Sequence, residues 1–212
     1  MKIKTSALSE GLKESQWDKL LKIRTTGRDD SHSDQYRYPY EPTPYSVLER
    51  LAGRGYITKK NVLLDYGCGK GRVGFYMAYQ VRCRCIGVEF DEQIWRAASE
   101  NQKSAVSGAK VKIIRGRAEA YDIPPETDRF FFFNPFSVEI LQKVMRKIQD
   151  SWYASPREIL LFFYYPFDAY LTWLMGYESL TLKEEIDCRD LFEGKNDRER
   201  ILVFAFRYNP SI

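Results

Sequence analysis

Two carboxylates and three glycines set out the chemistry available to this chain. The stretch Val62-Leu-Leu-Asp-Tyr-Gly-Cys-Gly-Lys-Gly-Arg-Val-Gly74 runs from an apolar segment through Asp65 into glycines 67, 69 and 71, and Ile86-Gly-Val-Glu-Phe-Asp91 follows it. A strand carrying an acid, a glycine-rich turn, a helix, and a second strand ending in an acid together suit a nucleoside with a charged tail. Glycine tolerates positive φ and lets a ligand come close to the main chain. The helix predicted over Arg72 to Gln80 points its first N–H groups at the turn. Glu89 comes 20 residues after Gly69, at a strand end, where a carboxylate can accept from both hydroxyls of a ribose. Asp65 can accept from a ligand ammonium or orient the glycine turn through its backbone N–H groups.

Asp65-x-Gly67-x-Gly69-x-Gly71 with Glu89 downstream resembles the S-adenosylmethionine site of the class I, Rossmann-like methyltransferases, over roughly residues 40 to 207. The resemblance implies that the glycine turn and Asp65 receive the methionine tail, Glu89 the ribose, and Phe90 packs on adenine. The next predicted strand ends Ile113-Ile-Arg-Gly-Arg-Ala-Glu119. Relatives carry an acid directly after that glycine. Here Arg117 stands in its place, so the adenine contact passes to Glu119 or to the backbone N–H of Ala118. The fourth strand ends Phe133-Asn-Pro-Phe-Ser137, which resembles the Asn-Pro-Pro-aromatic motif of methyltransferases that modify amino nitrogens. That likeness gives Asn134 and the Pro135 carbonyl the task of accepting from a target NH₂, and Phe136 the task of stacking on a planar substrate. Asn134 also counts among the residues bordering the cofactor. The second proline of the motif is absent, and the structural alternative has Asn134 turning the chain and Phe136 packing.

Methyl transfer needs in-line alignment and exclusion of water rather than a nucleophilic triad. The absence of a Ser/His/Asp constellation is therefore no objection. Two other functions compete. Gly69-x-Gly71-x-x-Gly74 is also a formal dinucleotide fingerprint, as in an NAD-dependent oxidoreductase. However, it starts several residues after the strand, and Asp65 would face a pyrophosphate. A non-catalytic S-adenosylmethionine-binding module is the other; the intact acid and glycine set argues against degeneration.

Composition narrows the setting. The chain has 212 residues, 44% hydrophobic and 29% charged, with net charge +4, as expected for a globular protein of one main domain. A charge of +4 is too small to argue for nucleic acid. The methyl acceptor stays open between a small molecule, a protein side chain and a nucleic acid, the last not favoured. The single histidine, His32, and four cysteines, with Cys83-x-Cys85 at close spacing, make neither a disulfide framework nor a zinc site. Reduced thiols and the lack of a signal-peptide pattern predict a cytoplasmic location. No apolar run approaches the ~20 residues of a bilayer span.

The elements that must position these residues follow from periodicity. Residues 1–45 are expected to form an N-terminal helix (Glu14 to Ile23), a polar loop (Arg24 to Arg37) that is either a lid over the site or a plain connector, and a Tyr/Pro segment, Tyr38 to Tyr45, that either closes over the cofactor with Glu41 as a candidate base or is a structural linker. Thr43 is expected to cap a helix with Pro44 at its first position. Residues 46–212 form the catalytic domain. Strands are predicted at 61–66, 84–89, 111–115, 129–133, 158–165, 179–187 and 200–207. Helices are predicted at 72–80, from Asp91 to Ser107, from Ser137 to Ser151, and at 168–175. The fold class is α/β: a seven-stranded, mostly parallel sheet with helices on both faces and the last strand antiparallel. Asp65, Glu89, Ala118, Glu119 and Asn134 then share the rim at the carboxyl ends of the strands.

Overall fold

The computed structural model describes residues 13–27, 40–194 and 196–206. His32, Tyr38 and Pro39, and most of the loop predicted for Arg24 to Arg37, lie outside them. Seven strands form one sheet: β1 (Val62–Tyr66), β2 (Arg84–Glu89), β3 (Val111–Arg115), β4 (Arg129–Phe132), β5 (Leu160–Tyr164), β6 (Leu180–Asp187) and β7 (Arg200–Phe206). Their order is β3-β2-β1-β4-β5-β7-β6. The pairs from β3 through to β5 are parallel, while β7 runs antiparallel to both β5 and β6. Sequence order reverses between β1 and β4, which places the ligand crevice of such a sheet beyond their carboxyl ends.

The central strands bury both faces, so β1, β4 and β5 read as continuous apolar runs. Side chains still alternate. Leu63, Phe131 and Phe162 face one core with helices α1 (Glu14–Leu21), α2 (Tyr45–Gly53) and α3 (Arg72–Gln80). Leu64, Phe132 and Phe163 face the other, against α5 (Val138–Ala154) and α6 (Asp168–Met175). Helix α4 (Glu92–Ser104) packs beside β2 and β3. In the second core the Phe132 and Phe163 rings stack at 4.5 Å, and Tyr66 stacks on Phe132 at 5.5 Å. Such offset contacts add to the burial of large apolar area.

Local signals hold at most boundaries. Asp91 caps α4, accepting from Gln93 N at 2.8 Å and Ile94 N at 2.9 Å. The α4 helix stops at Ser104, short of Ser107, because the chain turns at Ala105 into a 3-10 turn at Gly108–Lys110. The expected Thr43 cap is not formed. Pro44 occupies the N-cap position without a side-chain bond, and Thr43 is buried with its carbonyl turned to Arg72. Ser137 holds the N-cap position of α5, also without a side-chain bond. The described start of the predicted polar loop is ordered by bonds: Thr25 is fully buried, its N–H and hydroxyl donating to Asp18 at 2.6 Å each. Cys83 and Cys85 are buried free thiols 3.5 Å apart. None of the described helices is long and apolar enough to cross a membrane.

Candidate active site

A cleft opens beyond β1 and β4, and it collects the rim residues. Asp65, Glu89, Phe90, Ala118, Glu119, Asn134, Pro135 and Phe136 all line it, with Gly67 and Gly69 on its floor. Gly71 begins α3 as its N-cap, at φ +88.

The turn after β1 is held by β2. The N–H groups of Gly67 and Cys68 donate to Val88 O at 2.9 and 3.1 Å. The Gly69 N–H donates to Glu89 Oε2 at 2.9 Å, and Asp91 N donates to Glu89 Oε1, also at 2.9 Å. Glu89 therefore fixes the two loops that frame the cleft. Its pKa is raised by burial, a shift opposed by those backbone donors.

The glycines serve a purpose that the sequence reading did not foresee. Gly67 and Gly69 have φ of +68 and +56. A Cβ on Gly67 would stand 2.4 Å from Pro135 Cβ, and one on Gly69 would stand 2.2 Å from the Tyr40 ring. Pro135 on one flank and the Tyr40 ring on the other take the space that a Cβ at either glycine would need.

Asp65 is 4% exposed, and its Oδ2 has no hydrogen-bond partner among the described residues. Burial, and then the charge of Glu89, hold its pKa well above the ordinary carboxylate value. A buried carboxylate oxygen without a donor on the wall of a cleft is costly unless a ligand satisfies it. An ammonium such as that of a methionine moiety supplies both the donor and the charge, so the donor set fits the cofactor expected from the sequence.

Asn134 is tied down. Its Nδ2 donates to Tyr165 O at 2.6 Å, and its Oδ1 accepts from Phe167 N at 3.2 Å. The amide thus joins the loop after β4 to the loop after β5, and one lone pair of Oδ1 remains to accept from a substrate N–H. Both Asn134 and Tyr165 have positive φ, 42° and 51°. Pro135 meets the glycine turn. Phe136 departs from its expected role as a stacking platform. It is 4% exposed and packs edge-on against Tyr66 and Phe132 at 6.4 Å each, and its carbonyl accepts from Tyr170 Oη at 2.6 Å. Following a strand whose Phe130 and Phe132 point into the same core, it continues that core. Phe90 is 42% exposed, with the Arg117 guanidinium 5.8 Å from its ring centroid. Ala118 and Glu119 belong to a 3-10 turn at Ala118–Ala120, which puts them on the same side of the cleft.

Two residues matter more than the sequence reading gave them. Arg72 is 3% exposed and ties the N-terminal segment to α3. Its Nε donates to Thr25 Oγ1 at 2.7 Å, and its Nη1 to Thr43 O at 3.1 Å and to the Glu14 carboxylate. It also lies over the Tyr45 ring at 4.4 Å, and its Nη2 is 3.9 Å from Asp18 Oδ1. The signal was its isolation as the one charged residue of α3. Tyr40 is the second: its hydroxyl donates to Thr25 O at 2.5 Å while its ring covers Gly69. Among the described residues, the N-terminal segment thus packs on the glycine turn.

A mostly parallel sheet with this strand order, a glycine turn braced by a β2 carboxylate and a rim Asn-Pro define a Rossmann-like methyltransferase. A methyltransferase-domain family model matches residues 63–152. A protein-lysine N-methyltransferase of Saccharolobus islandicus (strain REY15A) is 30% identical over 111 residues, 51% of this chain and 68% of that protein. A histone-lysine N-methyltransferase of Dictyostelium discoideum, specific for H3 lysine 79, is 31% identical over 94 residues, 44% of this chain but 4% of that protein. Among solved structures, an RNA methyltransferase of Salinibacter ruber in complex with S-adenosyl-L-homocysteine superposes with TM-score 0.53 at 20% identity, covering 81% of this chain and 96% of that one. The precorrin-6y C5,15-methyltransferase of Geobacter metallireducens GS-15 gives 0.55 at 16% identity, covering 79% and 90%. These two likenesses speak for the fold alone. The chain belongs to the class I, Rossmann-like methyltransferases and is an S-adenosylmethionine-dependent methyltransferase.

Proposed function

We propose that the methyl acceptor is an amino nitrogen, that of a lysine side chain in a protein. The observation that carries this is the charge of the cleft. Among the described residues, five acidic ones line it (Glu41, Asp65, Glu89, Asp91 and Glu119) against a single Arg, although the chain as a whole is net +4. That Arg is Arg72, whose guanidinium is engaged with Glu14, Thr25 and Thr43. A low-dielectric cleft of one sign attracts a cation and repels a phosphate backbone. The two curated relatives, both protein-lysine N-methyltransferases, support the same reading. In this role Asp65 and the glycine turn hold the methionine end and Glu89 the ribose. Phe90, Ala118 and Glu119 border the base, and Asn134 Oδ1 with the Pro135 carbonyl orients the amine. The lysine ammonium first gives up a proton to solvent; the nitrogen lone pair then attacks the methyl carbon as the carbon–sulfur bond breaks, and the positive charge passes from sulfur to nitrogen.

The test is incubation with tritium-labelled S-adenosylmethionine and three acceptors in parallel: lysine-containing peptides, the same peptides with every amine acetylated, and total RNA. Label on the first alone is the expected result. Label on RNA, or equal label on blocked peptides, would refute the lysine reading.

A further inference from the structure

Glu41 has no part in the cofactor site just described. It directly follows Tyr40, whose ring is pressed onto Gly69, and it is exposed on the cleft wall. Its charge bears on Tyr164, contributing to the raised pKa of that hydroxyl behind burial and the Glu199 hydrogen bond. The Tyr164 ring packs at 4.7 Å on Phe133, the residue before Asn134. Glu41 lines the same cleft as Phe133 and Asn134, which stand at the end of β4, while Glu89 and Phe90 stand at β2.

The β4 end of the cleft is aromatic and held under strain. Phe133 is half-buried and lines the cleft, and Tyr165 lies edge-on to it at 6.3 Å. The Tyr165 hydroxyl accepts from Asn196 Nδ2 at 2.6 Å. Asn134 and Tyr165 are both left-handed and are bonded to each other. Non-glycine residues kept in that region cluster where geometry serves function. An exposed carboxylate beside aromatic faces is a receptor for an alkylammonium, which gains from the charge and from the ring quadrupole together.

We infer that Glu41 is the specificity-determining residue for the acceptor, receiving the ammonium of the incoming lysine in the cleft that the Phe133 ring also lines and so selecting cationic side chains. The inference rests on the lysine reading above.

Steady-state kinetics on a lysine peptide at saturating S-adenosylmethionine test it, comparing wild type, Glu41→Gln and Glu41→Asp. Glu41→Gln should raise the peptide KM by about tenfold or more, the scale of one lost charge-assisted contact. Glu41→Asp should restore most of it. The wild-type KM should climb with salt, and that dependence should flatten in Glu41→Gln. Calorimetry should leave the S-adenosylhomocysteine affinity of Glu41→Gln within about threefold of wild type. An unchanged peptide KM with unchanged salt dependence would overturn the assignment. So would a loss confined to cofactor affinity or melting temperature, which would make Glu41 a support for the N-terminal segment. A wild type that labels RNA and leaves lysine peptides unlabelled would refute the lysine reading itself, and this inference with it.

Discussion

The side chain of Asn134 donates to the Tyr165 carbonyl at 2.6 Å, joining the end of β4 to the end of β5 through two residues that both have positive φ. The amide is therefore structural as well as placed for chemistry. Asn134→Ala leaves the Tyr165 carbonyl and the Phe167 N–H without these partners, a cost of about 1–3 kcal/mol. For a chain of this size about 1 kcal/mol shifts the melting temperature by roughly 2–4 °C. A loss of several degrees is expected, together with a fall in turnover of roughly 10²-fold, the scale for a positioned polar group. Calorimetry on the same variant should find cofactor affinity close to wild type. Turnover near wild type in the folded variant would remove Asn134 from the chemistry.

Asp65 carries a different balance. Its native pKa is raised by burial and by the neighbouring Glu89 charge. Between the ordinary carboxylate value and that raised value, the native state binds more protons than the unfolded state. Stability of the ligand-free protein therefore falls as pH rises through this window, and above it the full cost remains. Glu89 acts in the same direction. Asp65→Asn should raise the ligand-free melting temperature at neutral pH and flatten its dependence on pH. It should also weaken S-adenosylmethionine binding by about tenfold or more, because an ionised carboxylate is what the ligand ammonium requires. Melting curves across pH, with binding measured alongside, check both halves. A variant less stable than wild type at every pH would contradict the account.

Arg72 couples the N-terminal segment to the cofactor turn, because Thr25 accepts from Arg72 through its hydroxyl and from Tyr40 through its carbonyl. Removing a buried cation that holds several partners typically costs about 3–5 kcal/mol. Arg72→Leu is expected to lower the melting temperature strongly and to weaken S-adenosylhomocysteine binding, since the Tyr40 ring over Gly69 loses its anchor. Calorimetric titration of the folded variant reads the second effect. Unchanged affinity would separate the segment from the cofactor site.

The stacked core under the site is open to a simpler test. Phe132 lies fully buried between Phe163 and Tyr66. Phe132→Ala should cost about 3–5 kcal/mol in chemical denaturation. A loss below about 1 kcal/mol would show that the core can collapse around the gap.

How far the sequence could be read followed from the range of each signal. Helix α3, strands β2 and β3, and helix α6 match the expected bounds residue for residue, because their periodicity and turn residues are local. The antiparallel pairing of β7 was also legible, from two apolar strands joined by a short polar stretch. Roles that depend on distant partners were not. Nothing near Phe136 in sequence reveals that Tyr66 and Phe132 enclose it, and nothing near Gly69 reveals the Tyr40 ring. Thr43 looked like a cap because Thr-Pro is a local helix-start signal, whereas the demand of Arg72 for its carbonyl comes from 29 residues away. The acidity of the cleft against a basic chain likewise emerges only once the strand ends are brought together.

The most direct measurement of the central claim is calorimetric titration of S-adenosylhomocysteine, and separately of NAD, into wild type and Glu89→Ala. Glu89 braces the glycine turn through Gly69 and stands on the cleft wall. The account predicts micromolar binding of S-adenosylhomocysteine by wild type and much weaker binding of NAD. It also predicts at least about tenfold loss of the former in a folded Glu89→Ala variant, from lost charge-assisted bonds. NAD binding as tight as S-adenosylhomocysteine binding, or full affinity retained without the Glu89 carboxylate, would contradict it.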